Sequence, residues 1–596
     1  MKRLGAAAAV LLLTALPAGC GTSAEKTPYT PTTGAASATT DYNPQPYENV
    51  RDGGTLRLAG QVIEQGNPFQ ADANLAANRL WFWYNADTIT YSPTGEVLYN
   101  PDYFSDVKTE VVGGNQRVTI TINPKATFND GTPIDYRAVE ATWKANNGTN
   151  KDYYAGDTIP YARISSVHAG VNDKQAVIEF TGVDAWWSAL FTTLLNPEAA
   201  ADAKTFNTAY LKKVQPQWGA GPYTVTKYDA ATGGVTFERN PKWWGRKGKL
   251  DKRIIIGLDT QAAINAFRNG ELDYIGTGDA DGLKQISGVA NTEIRRGGSP
   301  FEYILLLNAK APLLGDLAVR KAILEGIDRE QIAAINLQGL DYREPLPGSA
   351  IFYSFQKGYH DNVADVLTAD PAAARKELDA AGWVTGSDGI RAKDGKKLAL
   401  SYTLTGSVPL EKATATAFAA QLKRLGVKVD IRTVSENDFD SVVSGRKFDL
   451  FFAGNRSLDP FGARSLDGFF GSTNNENITG TGTPELDRKI KAAAEIADPD
   501  RQIARANELE REGLAQYGLI PLFSGPSIYG CPRAWPTSAR PSSAPRCRRP
   551  SAGRSNVRNR SRMPGCGSSS PTPGGRTTSP GLRRRPSGAR HRSRAT

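Results

Sequence analysis

Residues 123–146, NPKATFNDGTPIDYRAVEATWKAN, join the end of a strand, a turn and the start of a helix. Before them Val118, Ile120 and Ile122 alternate with polar residues, the period of a half-buried strand. Asn129-Asp130-Gly131-Thr132-Pro133 then turns the chain: Asn and Asp bond nearby backbone, Gly takes positive φ, and Pro fixes φ. From Asp135, an N-cap, Val139, Thr142 and Trp143 fall at helical spacing. A chain built on this unit belongs to the α/β class, and the unit taken alone is a packing device.

The rhythm recurs downstream. Residues 223–239 place Val225, Tyr228, Val235 and Phe237 around Gly233-Gly234, which predicts a hairpin. A strand at 254–258, a helix at 260–269 closed by Gly270, and a strand at 272–275 follow. Strands at 398–404 and 427–433 flank a helix at 413–425, and 448–452 is apolar enough for a fully buried strand. Helices are expected at 484–497 and 500–516, and a last strand near 520–528. Such alternation predicts largely parallel sheets.

Five blocks, in order, resemble the large extracytoplasmic solute-binding proteins that serve peptide-type ABC importers (bacterial solute-binding family 5). They are Gly53-Gly54-Thr55-Leu56-Arg57-Leu58; the F-x-D-G-x-P-I string beginning at Phe128; Trp218-Gly219-Ala220-Gly221-Pro222-Tyr223; Arg239-Asn240-Pro241-Lys242-Trp243-Trp244; and the helix block from Asp316 to Glu330. The resemblance implies a periplasmic-binding-protein-like α/β fold of two lobes and a hinge, with a subdomain inserted in the N-terminal lobe. The divisions expected are lobe I at 52–75 and 207–295, the insert at 76–206, lobe II at 296–505, and a return to lobe I at 506–530. Residues 303–307 would cross between the lobes.

Residues 4–16 are apolar after Lys2 and Arg3, too short for the ~20 residues of a membrane-spanning helix and of the length of a signal peptide. They end in Leu16-Pro17-Ala18-Gly19-Cys20-Gly21, which resembles a lipoprotein processing site with Pro17 in place of the usual Leu. Residues 1–20 are therefore expected to be a leader, with Cys20 as the lipid attachment point on the outer face of the cell membrane, and 21–50, rich in Ser, Thr, Pro and Ala, a flexible stalk.

Net charge is +11, yet residues 531–596 alone hold 16 Arg and no Lys, Asp or Glu, so the remaining chain is mildly acidic. Such a tail has three readings: a basic arm for nucleic acid or anionic lipid, a plain disordered extension, or out-of-frame GC-rich codons. The third is preferred, because the codons for 534–539, read two bases later, permit Leu-Ala-Asn-Phe-Gly, which resembles the family's C-terminal end. Cys531, Cys547 and Cys566 fall in this tail, so no disulfide framework or metal site is counted, and nucleic acid is not an expected partner.

No HExxH, GxSxG or P-loop string occurs, and His168 and His360 lack the spacing of a metal site or triad. Gly276–Gly282 is one position off a dinucleotide loop, and Asp279 and Asp281 lack the third ligand of a calcium loop. The expectation is a binder without cofactor, not an enzyme, and a monomer that delivers peptide-like solutes to an ABC permease. A non-peptide solute (oligosaccharide, metal chelate, lipid-like molecule) and a tethered scaffold are the alternatives.

Ligand sites in α/β sheets lie beyond the carboxyl ends of strands. In peptide-binding relatives the loop after the strand matching 448–452 carries an Asp that pairs with the ligand's α-ammonium. Asp459 is the match, with one residue inserted before it, and Asn455 and Arg456 stand on the same stretch. Asn67 and Phe69 follow the first strand, where relatives border the ligand; Trp83, with Trp81 and Tyr84, either lines the cleft or fills the subdomain core. Val443 and Phe452 stand where relatives carry an Arg for a peptide carboxylate, leaving Arg456 or Arg446 as substitutes. The 472–483 loop either borders the mouth or is solvated.

Overall fold

The computed structural model describes residues 44–60, 64–73, 75–92, 94–455, 462–533 and 537–538. The leader, Cys20, residues 21–43 of the expected stalk, Arg456, Asp459 and the tail beyond 538 lie outside the described residues. The end of that stalk is instead fastened to the body: Tyr47–Asn49 form a short 3-10 helix, and the Tyr47 hydroxyl donates to Lys247 O at 2.7 Å.

The opening unit folds as its chemistry dictates. Strand Asn115–Ile122 buries Gln116, Val118, Ile120 and Ile122 in strict alternation. Asp130 Oδ1 accepts from the Thr132 amide at 2.8 Å, Gly131 sits at φ +96°, and helix Tyr136–Asn146 starts at Asp135, whose carboxylate accepts from the Arg137 amide at 2.9 Å and pairs with its guanidinium. This strand joins Phe104–Val112, Gln175–Phe180 and Ile164–Ala169 in an antiparallel sheet over a core that includes Phe128, Val139 and Phe191. Asp135→Ala is expected to lower stability by about 1–2 kcal/mol, the usual value of a lost N-cap; an unchanged urea midpoint would show that the cap contributes nothing.

The motifs carrying the resemblance meet in space. Asn129 donates its side-chain amide to Pro216 O and its backbone amide to Gly219 O, both at 2.8 Å. Asn240 donates to Asn129 Oδ1 and Gly221 O, each 2.8 Å, and Tyr103 donates its hydroxyl to Ala220 O at 2.6 Å. A Cβ on Gly219 would stand 2.8 Å from Tyr84 O, so only glycine permits this approach. These blocks rivet the subdomain to the sheet beside it.

That sheet runs Thr55–Gly60, Lys252–Gly257, Gly234–Arg239, Tyr223–Asp229, and only its first pair is parallel. Gly233, at φ +73°, turns the hairpin. A second, antiparallel sheet orders Ile275–Thr277, Pro526–Pro532 and Thr292–Gly298. The largest core surrounds a five-stranded sheet: Lys428–Val434, Ala399–Thr405, Leu450–Asn455, Glu302–Leu307, Leu519–Phe523. Its first three strands are parallel and its last two antiparallel to their neighbours. The sheets are thus mixed or wholly antiparallel rather than largely parallel. A helical crossover, Pro409–Lys423, makes the parallel pair Ala399–Thr405/Lys428–Val434, whereas the hairpin at 223–239 and the strands returning at 519–532 pair antiparallel.

Three boundaries move. Helix Pro499–Leu514 packs Ala506, Leu509 and Leu514 into the five-stranded core, so the chain does not return at 506. The segment expected as one closing strand is two: Leu519–Phe523 edges the five-stranded sheet, and Pro526–Pro532 is central in the three-stranded one. Residues 303–307 do not cross; they lie inside the five-stranded sheet. Cys531 is buried at the end of Pro526–Pro532 and belongs to the folded body, not to the tail.

Candidate functional site

Strand Thr292–Gly298 pairs with Pro526–Pro532 in one sheet, and Glu302–Leu307 pairs with Leu519–Phe523 in the other. The chain therefore crosses between sheets twice, side by side, at 299–301 and 524–525. Ser299 N donates to Gly525 O at 3.3 Å, Gly525 takes φ +79°, and the Glu344 carboxylate accepts from the Ser524 and Gly525 amides. Two short adjacent crossings with a positive-φ glycine make a hinge.

At this hinge strands Ala399–Thr405, Leu450–Asn455 and Leu519–Phe523 end and Glu302–Leu307 begins. The edge is aromatic. Tyr303 stacks on Phe452 (5.1 Å, 12°) and on Phe523 (4.4 Å, 22°), with the Phe301 ring 4.9 Å away. Gly454 lies opposite Tyr303, while Asn455 faces Glu302 and is the last described residue before 462. Tyr303 and Phe452 are half-buried and Phe523 is buried behind them, so two of the rings offer apolar surface at this edge.

Beneath the edge lies a set of acids that sequence reading missed. Glu302 is buried, its Oε1 has no hydrogen-bond partner, and burial beside Glu510 and Glu344 pushes its pKa well up, against the pull of Arg329. Burial also raises Glu344, and it pushes Glu510 up to about 7 although Ser349, Asn362 and two backbone amides donate to it. Arg329 donates to Pro347 O at 2.8 Å and Pro521 O at 3.0 Å. The one sequence signal was a charged residue opening an otherwise apolar strand at Glu302.

The other expected site residues do not gather here. Asn67 is fully buried, accepting from the Phe69 amide and donating to Phe206 O; Phe69 packs edge-on against Trp81. Trp83 is buried between Phe237 (5.2 Å) and the Arg253 guanidinium (5.2 Å), so the Trp81–Tyr84 aromatics fill core. Arg446 is committed to the carbonyls of Asn477 and Ile478. The 472–483 loop is solvated in its first half, where Ser472, Thr473, Asn475 and Glu476 are exposed, and turns inward in its second, where Asn477, Thr479 and Thr481 are buried and bond one another. Among the described residues no three His, Cys, Asp or Glu side chains gather as a metal site, and no helix is long and apolar enough to cross a membrane.

The profile of the bacterial extracellular solute-binding proteins, family 5, matches residues 99–477. The chain belongs to that family. It is 31% identical over 519 residues to the oligopeptide-binding protein OppA of Mycobacterium tuberculosis, covering 85% of this chain and 86% of the relative. The periplasmic EDTA-binding protein EppA superposes with a TM-score of 0.73 at 25% identity, over 83% of this chain and 94% of EppA. The oligopeptide-binding protein AppA of Bacillus subtilis, solved with a nonapeptide, superposes with a TM-score of 0.61 at 19% identity, over 82% of this chain and 97% of AppA. The family-5 protein therefore has the role of solute-binding component of an ABC importer, and its fold is that of these proteins.

Proposed function

We propose that this family-5 protein captures peptides or peptide-like solutes outside the cell membrane, closes about the 299–301/524–525 hinge, and docks on a membrane permease. The observation that carries the reading is the likeness to an oligopeptide-binding protein along 85% of the chain. The aromatic edge agrees with it: the half-buried rings of Tyr303 and Phe452, backed by buried Phe523, accept varied side chains while strand-end backbone groups bond a peptide main chain. Asp459, on the sequence that follows that strand, supplies the partner of the ligand's α-ammonium, with Asn455 as a further ligand contact and Arg456 for a carboxylate. Cys20 carries the lipid that tethers a monomeric body to the membrane.

Native mass spectrometry of protein purified from cells tests this. Copurifying peptides support it. A bound polycarboxylate chelate supports the second reading, which the likeness to the EDTA-binding EppA favours. Asp459→Ala is expected to weaken peptide binding by about 2 kcal/mol or more, as loss of a buried charge partner does; unchanged affinity by calorimetry removes Asp459 from the site.

A further inference from the structure

Hydrogen bonds join the inserted subdomain to the five-stranded lobe at two places away from the 299–301/524–525 hinge. At the first, Glu495 caps helix Pro484–Ala494 of the lobe, and its carboxylate reaches the subdomain. Oε1 accepts from Arg163 Nη2 at 3.1 Å, and Oε2 accepts from the Val183 amide at 3.3 Å. Arg163 Nη2 also donates to Val183 O at 2.6 Å, so guanidinium and amide present one preformed cradle to the carboxylate. Gly182, at φ +75°, shapes the turn, and a Cβ there would stand 3.0 Å from Glu495 Oε2. At the second place the Lys357 amide donates to Thr94 O at 2.9 Å, in the turn between strands Ile89–Tyr91 and Val97–Tyr99.

Each side has its own apolar core: one cluster draws on residues 303–523 and the other on residues 69–244. These hydrogen bonds are polar ties, and the Arg163 and Glu495 side chains remain 30% and 48% exposed. A tie of this kind breaks without exposing apolar core and re-forms on contact. It is too weak to hold a fixed interface and strong enough to bias an equilibrium.

We propose that Glu495, seated on Arg163 and the Val183 amide, is a latch that holds the subdomain against lobe II and sets how often the protein opens and how fast it releases its solute. The release clause rests on the solute-capture reading above; the latch itself does not.

Hydrogen exchange on the ligand-free full chain separates the two. The Lys357 amide is protected by Thr94 only while the two sides touch, and Glu495 does not bond it. Glu495→Ala is expected to speed exchange at Lys357 about fivefold, the scale of an exposed charged pair. Glu495→Gln, which keeps an acceptor but loses the charge, should have a smaller effect, and added salt should move the parent protein toward the variant. Slow exchange within helix Pro499–Leu514 in every variant verifies that the lobe stays folded. Unchanged exchange at Lys357 in Glu495→Ala overturns the latch, since a purely local role for Glu495 would leave that distant amide alone. With a labelled nonapeptide as probe, the variant should also release faster with little change in association. Absence of nonapeptide binding would count against the peptide reading and leave the exchange result to decide the latch.

Discussion

Glu510→Gln is expected to flatten the pH dependence of stability. Glu510 is fully buried within helix Pro499–Leu514, where its carboxylate accepts from the Ser349 hydroxyl (2.7 Å), the Ala350 amide (2.6 Å) and the Asn362 side chain (2.6 Å). Burial outweighs these donors and raises its pKa from 4.5 to about 7. The sign follows from proton counting. Below 4.5 the group is protonated folded or unfolded, and stability does not respond to it. Between 4.5 and 7 only the folded chain keeps the proton, so stability falls as pH rises, by roughly 1.4 kcal/mol per pH unit. Above 7 both states are ionised and the full penalty, about 3 kcal/mol, is in place. Glutamine carries no such term, although its amide fits the three donors less well at every pH. Buried Glu302, facing Glu510, Glu344 and Arg329, leaves some slope behind in the variant. Urea midpoints between pH 5 and 8 read the effect: the two proteins should converge or cross with rising pH. Parallel curves would mean that Glu510 does not titrate in that window.

The same residue shows what sequence reading can and cannot reach. Inside Asn507-Glu508-Leu509-Glu510-Arg511-Glu512, Glu510 looks like any solvated helix charge. What buries it are donors at 349, 350 and 362, about 150 positions away. Asp135, Gly131 and the alternation through Ile122 were legible because their causes sit within a few residues. The closing strands were not: Leu519–Phe523 and Pro526–Pro532 are both apolar, and only partners at 303–306 and 292–298 assign them to different sheets. Trp83 was undecidable for the same reason, since its fate depends on Phe237 and Arg253. The motifs behind the family resemblance identified the fold through Asn129, Gly219 and Asn240, residues that hold the subdomain in place. They carry little about the solute, which meets other residues.

Arg391→Met is expected to lower the stability of lobe II by about 3 kcal/mol or more, the scale of several buried acceptors losing their donor together. The run Arg391-Ala392-Lys393-Asp394-Gly395-Lys396-Lys397 reads as a charged surface hairpin, yet Arg391 is only 3% exposed. Its Nε donates to Leu425 O at 2.7 Å, Nη1 to Trp383 O and Asp379 Oδ1, and Nη2 to Arg375 O at 3.3 Å. One guanidinium thus ties the helix Pro371–Ala380 and the turn after it to the end of the helix Pro409–Lys423 and the turn that follows it. Asp379 is largely exposed and regains water when the partner is lost, so the cost falls on the three carbonyls rather than on the carboxylate. Methionine fills the volume and donates nothing. Lysine, a point donor, satisfies one or two of the acceptors and should fall between the two proteins. These ties lie apart from the Tyr303–Phe452–Phe523 edge, so the folded variant should bind solute with unchanged affinity, and saturating solute should raise its melting midpoint as it raises the parent's. A melting midpoint equal to the parent's would show that the carbonyls find other donors; a lost affinity in the folded variant would show that this tie shapes the binding edge as well as supporting it.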